Sequence, residues 1–310
     1  MPSDNLLSRR AFVGAAAASA VACTLPVRAD GTQHKLVLMA GRPSHGPMEH
    51  EYNGGVTLIK KWLAGVSNLD VVVHRNGWPL DPNILKGASA ILCFADGGGG
   101  HPIIQGDHLK ILSGLMKQGV GLMCAHYGVE IPKDNGGKEL MNWIGGYYET
   151  NWSCNPHWTA DFKEIPKHAI TRGVKPFSVK DEWYFNMRFR PSMEGVTPIL
   201  VAKPDDKVRK GPYASPRGPY EHILAASGRS ESMMWCVERA DGGRGVGFTG
   251  GHYHRNWLND DYRKVFLNAL LWISKVDVPT DGVVSQTSEE ELLENVDPKG
   301  QPKKKKASAK

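Results

Sequence analysis

Val246-Gly247-Phe248-Thr249-Gly250-Gly251-His252-Tyr253-His254-Arg255-Asn256-Trp257 is the stretch that decides the fold. Its first half is a short apolar run, read as a buried strand. Tyr262, Val265, Phe266, Ala269, Leu270 and Ile273 then recur at the spacing of one helix face. Asn259 is placed to cap that helix, and Asp260 and Asp261 suit its N-terminus. Between strand and helix lies a turn holding two imidazoles, a guanidinium, an amide and two aromatic rings. In an open α/β sheet, the carboxyl end of a strand is where ligands bind.

The same pattern extends toward the N-terminus. Residues 35–41, 71–73, 90–95 and 120–125 are continuous apolar runs, as parallel strands buried on both faces require. Helical spacing over 52–65 and 104–117, a helical turn at 82–86 and a short helix at 138–144 separate them. This alternation predicts a flavodoxin-like, doubly wound, mainly parallel sheet. Residues 157–162, 177–184, 199–202, 221–226 and 233–237 read as added strands, mostly antiparallel. Residues 203–219, with four prolines, read as a mobile surface loop.

Three regions follow from composition. Residues 1–29 read as a twin-arginine export signal: Ser8-Arg9-Arg10-Ala11-Phe12, an Ala-rich run, then Val27-Arg28-Ala29 as a cleavage site. The expected location is periplasmic or secreted, with no stable membrane insertion after cleavage. Residues 30–278 form one domain. Residues 279–310 lose apolar content and read as a disordered, charged tail. The net charge of +6 is carried by the two ends: nine of the 38 Lys and Arg lie before residue 30 or after Pro298, opposed there only by Asp4. The remainder holds 29 basic against 31 acidic residues, so nucleic acid is not an expected partner. No paired-cysteine spacing of the zinc type occurs, and Cys93, Cys124 and Cys236 sit in apolar runs. No nucleotide-binding motif is evident.

Loops at four predicted strand ends carry His45 and His50, Asp96, His126, and His252 with His254. Parallel topology brings these loops to one edge, and Glu182 on the added segment can face them. Imidazoles converging with a carboxylate suit a divalent metal or an acid–base pair. His126, His252 and Glu182 are the expected catalytic groups. Asp96, Tyr127, His254, Asn256 and Trp257 are the expected substrate contacts. The expected metal ligands are His45, His126 and His252, for zinc, manganese or iron. His50 reads as a helix-start residue.

These motifs together resemble the ThuA-like, or trehalose-utilisation, family. The resemblance rests on residues 251–257 with 259–263, the Ser44-His45-Gly46 loop, the strand ending in His126, and His168-Ala169-Ile170-Thr171-Arg172-Gly173-Val174 leading to Asp181-Glu182-Trp183-Tyr184. It implies a class I glutamine-amidotransferase-like fold. It also implies action on disaccharides or their 3-keto derivatives, with a sugar oxidoreductase in the same pathway. True glutamine amidotransferases place Cys at the strand-to-helix elbow and a His-x-Glu pair after a late strand. Here the elbow residue is His126, and the late pair is His252-x-His254. Three readings follow: an enzyme on glycosides or keto-glycosides using histidine acid–base or metal-assisted chemistry, a non-catalytic sugar-binding protein presenting Trp78, Trp152, Trp158, Trp183 and Trp257, and a hydrolase using Cys124.

Overall fold

The computed structural model describes residues 32–299. The expected signal segment 1–29 and the lysine-rich end 300–310 lie outside the described residues. Strands β1 (His34–Ala40), β2 (Leu69–His74), β3 (Ala90–Phe94) and β4 (Gly121–Ala125) come first. Strands β5 (Gly146–Tyr147), β6 (Trp158–Phe162), β7 (Phe177–Asp181) and β8 (Arg188–Phe189) form two small antiparallel pairs, β5 with β8 and β6 with β7. Strands β9 (Val196–Ala202), β10 (Glu231–Glu238) and β11 (Arg244–Phe248) return to the main sheet.

That sheet has seven strands in the order β2-β1-β3-β4-β11-β10-β9. The five from β2 to β11 are parallel, and β10 runs antiparallel to both its neighbours. Its register carries one apolar row across six strands: Val73, Leu38, Leu92, Met123, Val246 and Cys236. Chain order reverses between β1 and β3, the switch point at which such folds bind ligands.

Alternate residues of the buried strands point to opposite faces, giving two cores. One joins Leu36, Leu38, Leu92, Phe94 and Met123 to helices α1 (Tyr52–Trp62) and, later in the chain, α6 (Asp260–Ile273). The other joins Val37, Met39, Ile91, Cys93 and Cys124 to α2 (His108–Met116) and α3 (Lys138–Trp143). The flavodoxin-type expectation therefore holds.

Helices α4 (Asp206–Lys210) and α5 (Glu221–Leu224) correct two sequence readings. Residues 203–219 include a helix whose Asp205 side chain accepts from Val208 N at 2.7 Å, and whose Arg209 is buried on Glu231 at 3.0 Å. Residues 221–224 are helical and 225–226 a turn, rather than extended: Glu, Leu and Ala outweigh a short apolar run, and only Ile223 in α5 is buried. Helix α6 (Asp260–Ile273) starts as expected, with Asn259 Oδ1 accepting from Tyr262 N at 3.0 Å.

The segment from 279 to 299 is also corrected. It packs on the domain instead of standing in solvent, with Val283 and Leu292 buried. Arg263 donates to Ser285, and Trp62 donates to Gln286 O. Helix α7 (Glu289–Leu293) is capped by Ser288 and Glu291. No helix among the described residues is long and apolar enough to cross a membrane.

Candidate metal centre

Three imidazoles in the site occupy left-handed backbone: His45 at φ 60°, His50 at φ 47° and His126 at φ 53°. Such positions cost energy for residues other than glycine and persist where the surroundings hold them. His126 follows the last residue of β4, at the elbow. His45 and His50 lie on the loop leaving β1. That loop is tied to the loop after β11 by His50 N to His252 O at 3.0 Å and His254 N to Met48 O at 2.9 Å. Gly97, beside Asp96, must be glycine: a Cβ there would lie 2.1 Å from Tyr127 O.

Asp181, fully buried at the end of β7, carries Glu182 into the same space. Its carboxyl accepts from Gly251 N at 2.8 Å, His252 N at 3.1 Å, Glu182 N at 2.8 Å and Tyr262 Oη at 3.0 Å. The small β6–β7 hairpin is thereby locked onto the β11 loop.

Four donor atoms converge. His50 Nε2 lies 3.0 Å from His126 Nε2 and 3.0 Å from His252 Nδ1. Glu182 Oε2 lies 3.0 Å from His252 Nδ1 and 3.4 Å from His126 Nε2. All four residues are buried, and their donor atoms fall within 4.8 Å of one another. Bonds of about 2.1 Å to a central cation set neighbouring donors about 3.0 Å apart at right angles and about 3.4 Å apart in a tetrahedron. The observed spacings span that range.

The remaining polar atoms orient the rings. His126 Nδ1 faces Thr249 O at 3.1 Å, and a carbonyl only accepts, so the proton is on Nδ1. His50 Nδ1 faces Asp96 Oδ1 at 3.0 Å, with Tyr52 Oη donating to that same oxygen at 2.7 Å. Both Nε2 atoms then present lone pairs to each other, an arrangement relieved by positive charge between them. Asn155 donates to Glu182 Oε1 at 3.1 Å, leaving Oε2 for the cluster. These supports are what metal-ligating imidazoles and carboxylates ordinarily have. The buried His/Glu cluster is thus able to hold a metal ion.

Electrostatics agree with the geometry. Burial lowers the His50 ring to about 2, against the raising bond to Asp96. Burial alone would raise Asp96, but bonds from His50, Tyr52 and Ser44 hold it to about 2. Glu182 is likewise pushed up by burial, yet the adjacent His126 and His252 rings hold it well below the usual carboxylate range.

Around this centre stand His45, stacked on His50 with ring centroids 3.5 Å apart, and His157, with Nε2 4.0 Å from Glu182 Oε1. Both are part-exposed and lowered, first by burial. Tyr253 Oη lies 2.9 Å from His157 Nδ1, and the Tyr127 ring stands 6.1 Å from that of His50.

His126, His252, Glu182, Asp96 and Tyr127, all expected from sequence, are therefore brought together. Two expectations are corrected in geometry. His50, not His45, completes the cluster, and its place on the β1 loop was the available signal. His254 and Trp257 face inward: His254 Nε2 bonds Leu292 O at 2.9 Å, and Trp257 packs among Phe94, Tyr262 and Phe266. Asn256 donates to Lys180 O at 2.9 Å, outside the cluster. His157 and Tyr52 were missed. Cys124 is fully buried on the α2–α3 face, and its hydrogen bond with Cys93, then burial, raise it well above the ordinary thiol range. It lacks the exposed thiolate that nucleophilic catalysis needs.

Comparison with known proteins agrees with this architecture. The chain is similar to a ThuA-like protein from Bacteroides uniformis at 14% identity, with 82% of this chain and 96% of that one covered and a TM-score of 0.54. It is similar to a ThuA-like protein from Parabacteroides merdae at 13% identity, covering 83% and 94%, with a TM-score of 0.53. At such identities these structures speak for the fold alone. No match was found among curated proteins. The family model for trehalose utilisation, ThuA, matches residues 37–273, which takes in the main sheet except the first three residues of β1 and all four residues of the cluster, so the chain belongs to the ThuA family.

Proposed function

We propose that this protein is an exported, metal-dependent enzyme of carbohydrate utilisation that cleaves a glycoside through its 3-keto derivative. One observation carries the reading: His50 Nε2, His126 Nε2, His252 Nδ1 and Glu182 Oε2 converge at 3.0–3.4 Å spacings, each backed by its own partner. Three imidazoles and one carboxylate suit zinc, manganese or iron. When bound, such a cation supplies positive charge against the negative charge that develops on a carbonyl oxygen.

The chain's own residues would move the protons. The four cluster groups are committed to one another, which leaves the part-exposed His45 and His157. Both are lowered by burial and so are neutral bases at neutral pH. One takes the proton from the carbon beside the ketone. The C–H electron pair forms a carbon–carbon double bond, and the glycosidic C–O pair leaves with its oxygen. That oxygen receives a proton from the imidazolium so formed or from water. Water adding across the double bond completes the hydrolysis. The ketone would come from a sugar oxidoreductase acting earlier.

The test is metal content by inductively coupled plasma mass spectrometry on chain purified without chelator, beside His50→Ala and His126→Ala. Near-stoichiometric zinc, manganese or iron in the parent, lost in both variants, is expected, together with release of the aglycone from a 3-keto glycoside. A parent that takes up none of these metals even on reconstitution would refute the metal reading, and metal-loaded protein inert on every 3-keto glycoside would refute the reaction.

A further inference from the structure

Asp96 has two faces. One oxygen supports His50, while the residue also lines a cavity of about 830 Å³ at the carboxyl ends of β1, β2 and β3. Gly41, Ala95, Trp78, Gln105 and His108 are among its walls. Trp78 and His108 stack there, with ring centroids 4.3 Å apart and planes within 7°. A second pocket of about 340 Å³ shares Trp78, Leu80 and His108, and continues over Pro82, Leu85, Ile111 and Leu115. Leu80 is 95% exposed and Ile111 41%, both large apolar side chains at these walls.

We propose that these adjoining cavities take an aromatic aglycone, so that the substrate is an aryl glycoside rather than a disaccharide. The inference rests on the proposed glycoside reading. A sugar held at the cluster would project its leaving group past Asp96, and the space entered there is broad. An aryl ring matches it chemically: a flat aromatic surface on Trp78, an apolar continuation around Leu80, and polar groups such as Arg42 and Gln105 for phenolic substituents. A second sugar ring would leave the apolar continuation wet.

The experiment uses the full chain and measures binding by calorimetry for methyl and 4-methylumbelliferyl glucosides of both anomers. The variants are Trp78→Ala and Leu80→Ser, the latter at a solvent-facing position where the fold is indifferent. The aryl glucoside of one anomer should bind at least about tenfold tighter than its methyl counterpart, an advantage of the size an apolar pocket confers. That advantage should vanish in Trp78→Ala and fall several-fold in Leu80→Ser. Equal affinities in the parent, binding of neither, or an aryl advantage untouched by both substitutions would overturn the proposal. Metal content is measured on the same samples, so a metal-free protein that still prefers the aryl ligand refutes the metal centre and not the aglycone cavity.

Discussion

Glu130 is a buried carboxyl without a cation. It follows the turn that begins at His126, is 9% exposed, and accepts from Thr150 Oγ1 at 2.9 Å. Among the described residues it forms no ion pair within 4.0 Å. Burial raises it to about 7, the Thr150 bond opposes this, and the like charge of Glu182 adds to it. For an acid whose folded value is raised, the sign is the reverse of an ordinary ion-paired carboxylate. Below its ordinary 4.5 the group is protonated folded or unfolded and costs nothing. Between 4.5 and about 7 the unfolded chain ionises while the folded one resists, so stability falls as pH rises. Above about 7 the full penalty is present. At 1.36 kcal/mol per pH unit, it amounts to about 3 kcal/mol. Glu130→Gln keeps the shape and removes the charge. Urea unfolding of parent and variant at about pH 5 and about pH 8, with metal chelated in both, should show a stability difference in the variant's favour that grows by about 2 kcal/mol across the interval. A difference that stays flat or shrinks with pH would refute the reasoning, because it would mean Glu130 is solvated or paired when charged.

Three further outcomes follow from buried contacts. Asp181→Ala strands the buried amides of Gly251 and His252, the Glu182 amide and the Tyr262 hydroxyl, and should cost about 3 kcal/mol or more in urea unfolding; a loss under about 1 kcal/mol would show that the hairpin is held otherwise. Truncation after Thr287 removes buried Leu292, the carbonyl partner of His254, and Lys299, whose ammonium lies 3.2 Å from Glu51. The midpoint of thermal unfolding should drop by about 5 °C or more, and an unchanged midpoint would show that the segment merely rests on the surface. Iodoacetamide should leave Cys93, Cys124, Cys154 and Cys236 unlabelled in the native protein and label them in urea, since all four are buried; native labelling of Cys124 would revive the hydrolase reading.

The sheet was legible because apolar runs end where strands end, and the parallel arrangement then collects the ends. That logic placed His126, His252, Asp96 and Glu182 near one another without coordinates. It brought His50 to the same edge but could not aim its ring, because His50 follows a left-handed step at Met48 and takes one itself, so that no strand or helix period governs where the ring goes. The misplacement of His254 and Trp257 has a definite cause. Residues 254–258 form a 3-10 turn, in which residues three apart eclipse, so His254 and Trp257 point inward together. The tail was misread because composition weighs apolar content, whereas here two buried side chains, Val283 and Leu292, and polar bonds from Arg263, Trp62 and His254 hold the segment.

The elbow shows how one fold frame changes chemistry. Cys124 and His126 are two residues apart, and a continuing strand would give them one face. The strand ends at Ala125 and His126 turns to φ 53°, so the thiol stays in the α2–α3 core while the imidazole reaches the loop edge. A thiol at the elbow would need a partner to ionise it. An imidazole there needs only its Nδ1 proton fixed, which the Thr249 carbonyl does at 3.1 Å. The same substitution explains the late pair. A carboxylate two residues after His252 would serve a nucleophile's base, but residue 254 points into the core, and the carboxylate reaches His252 from Glu182 on the added hairpin instead. The hairpin, locked by Asp181, therefore supplies the carboxylate that turns a histidine elbow into a cluster able to hold a cation.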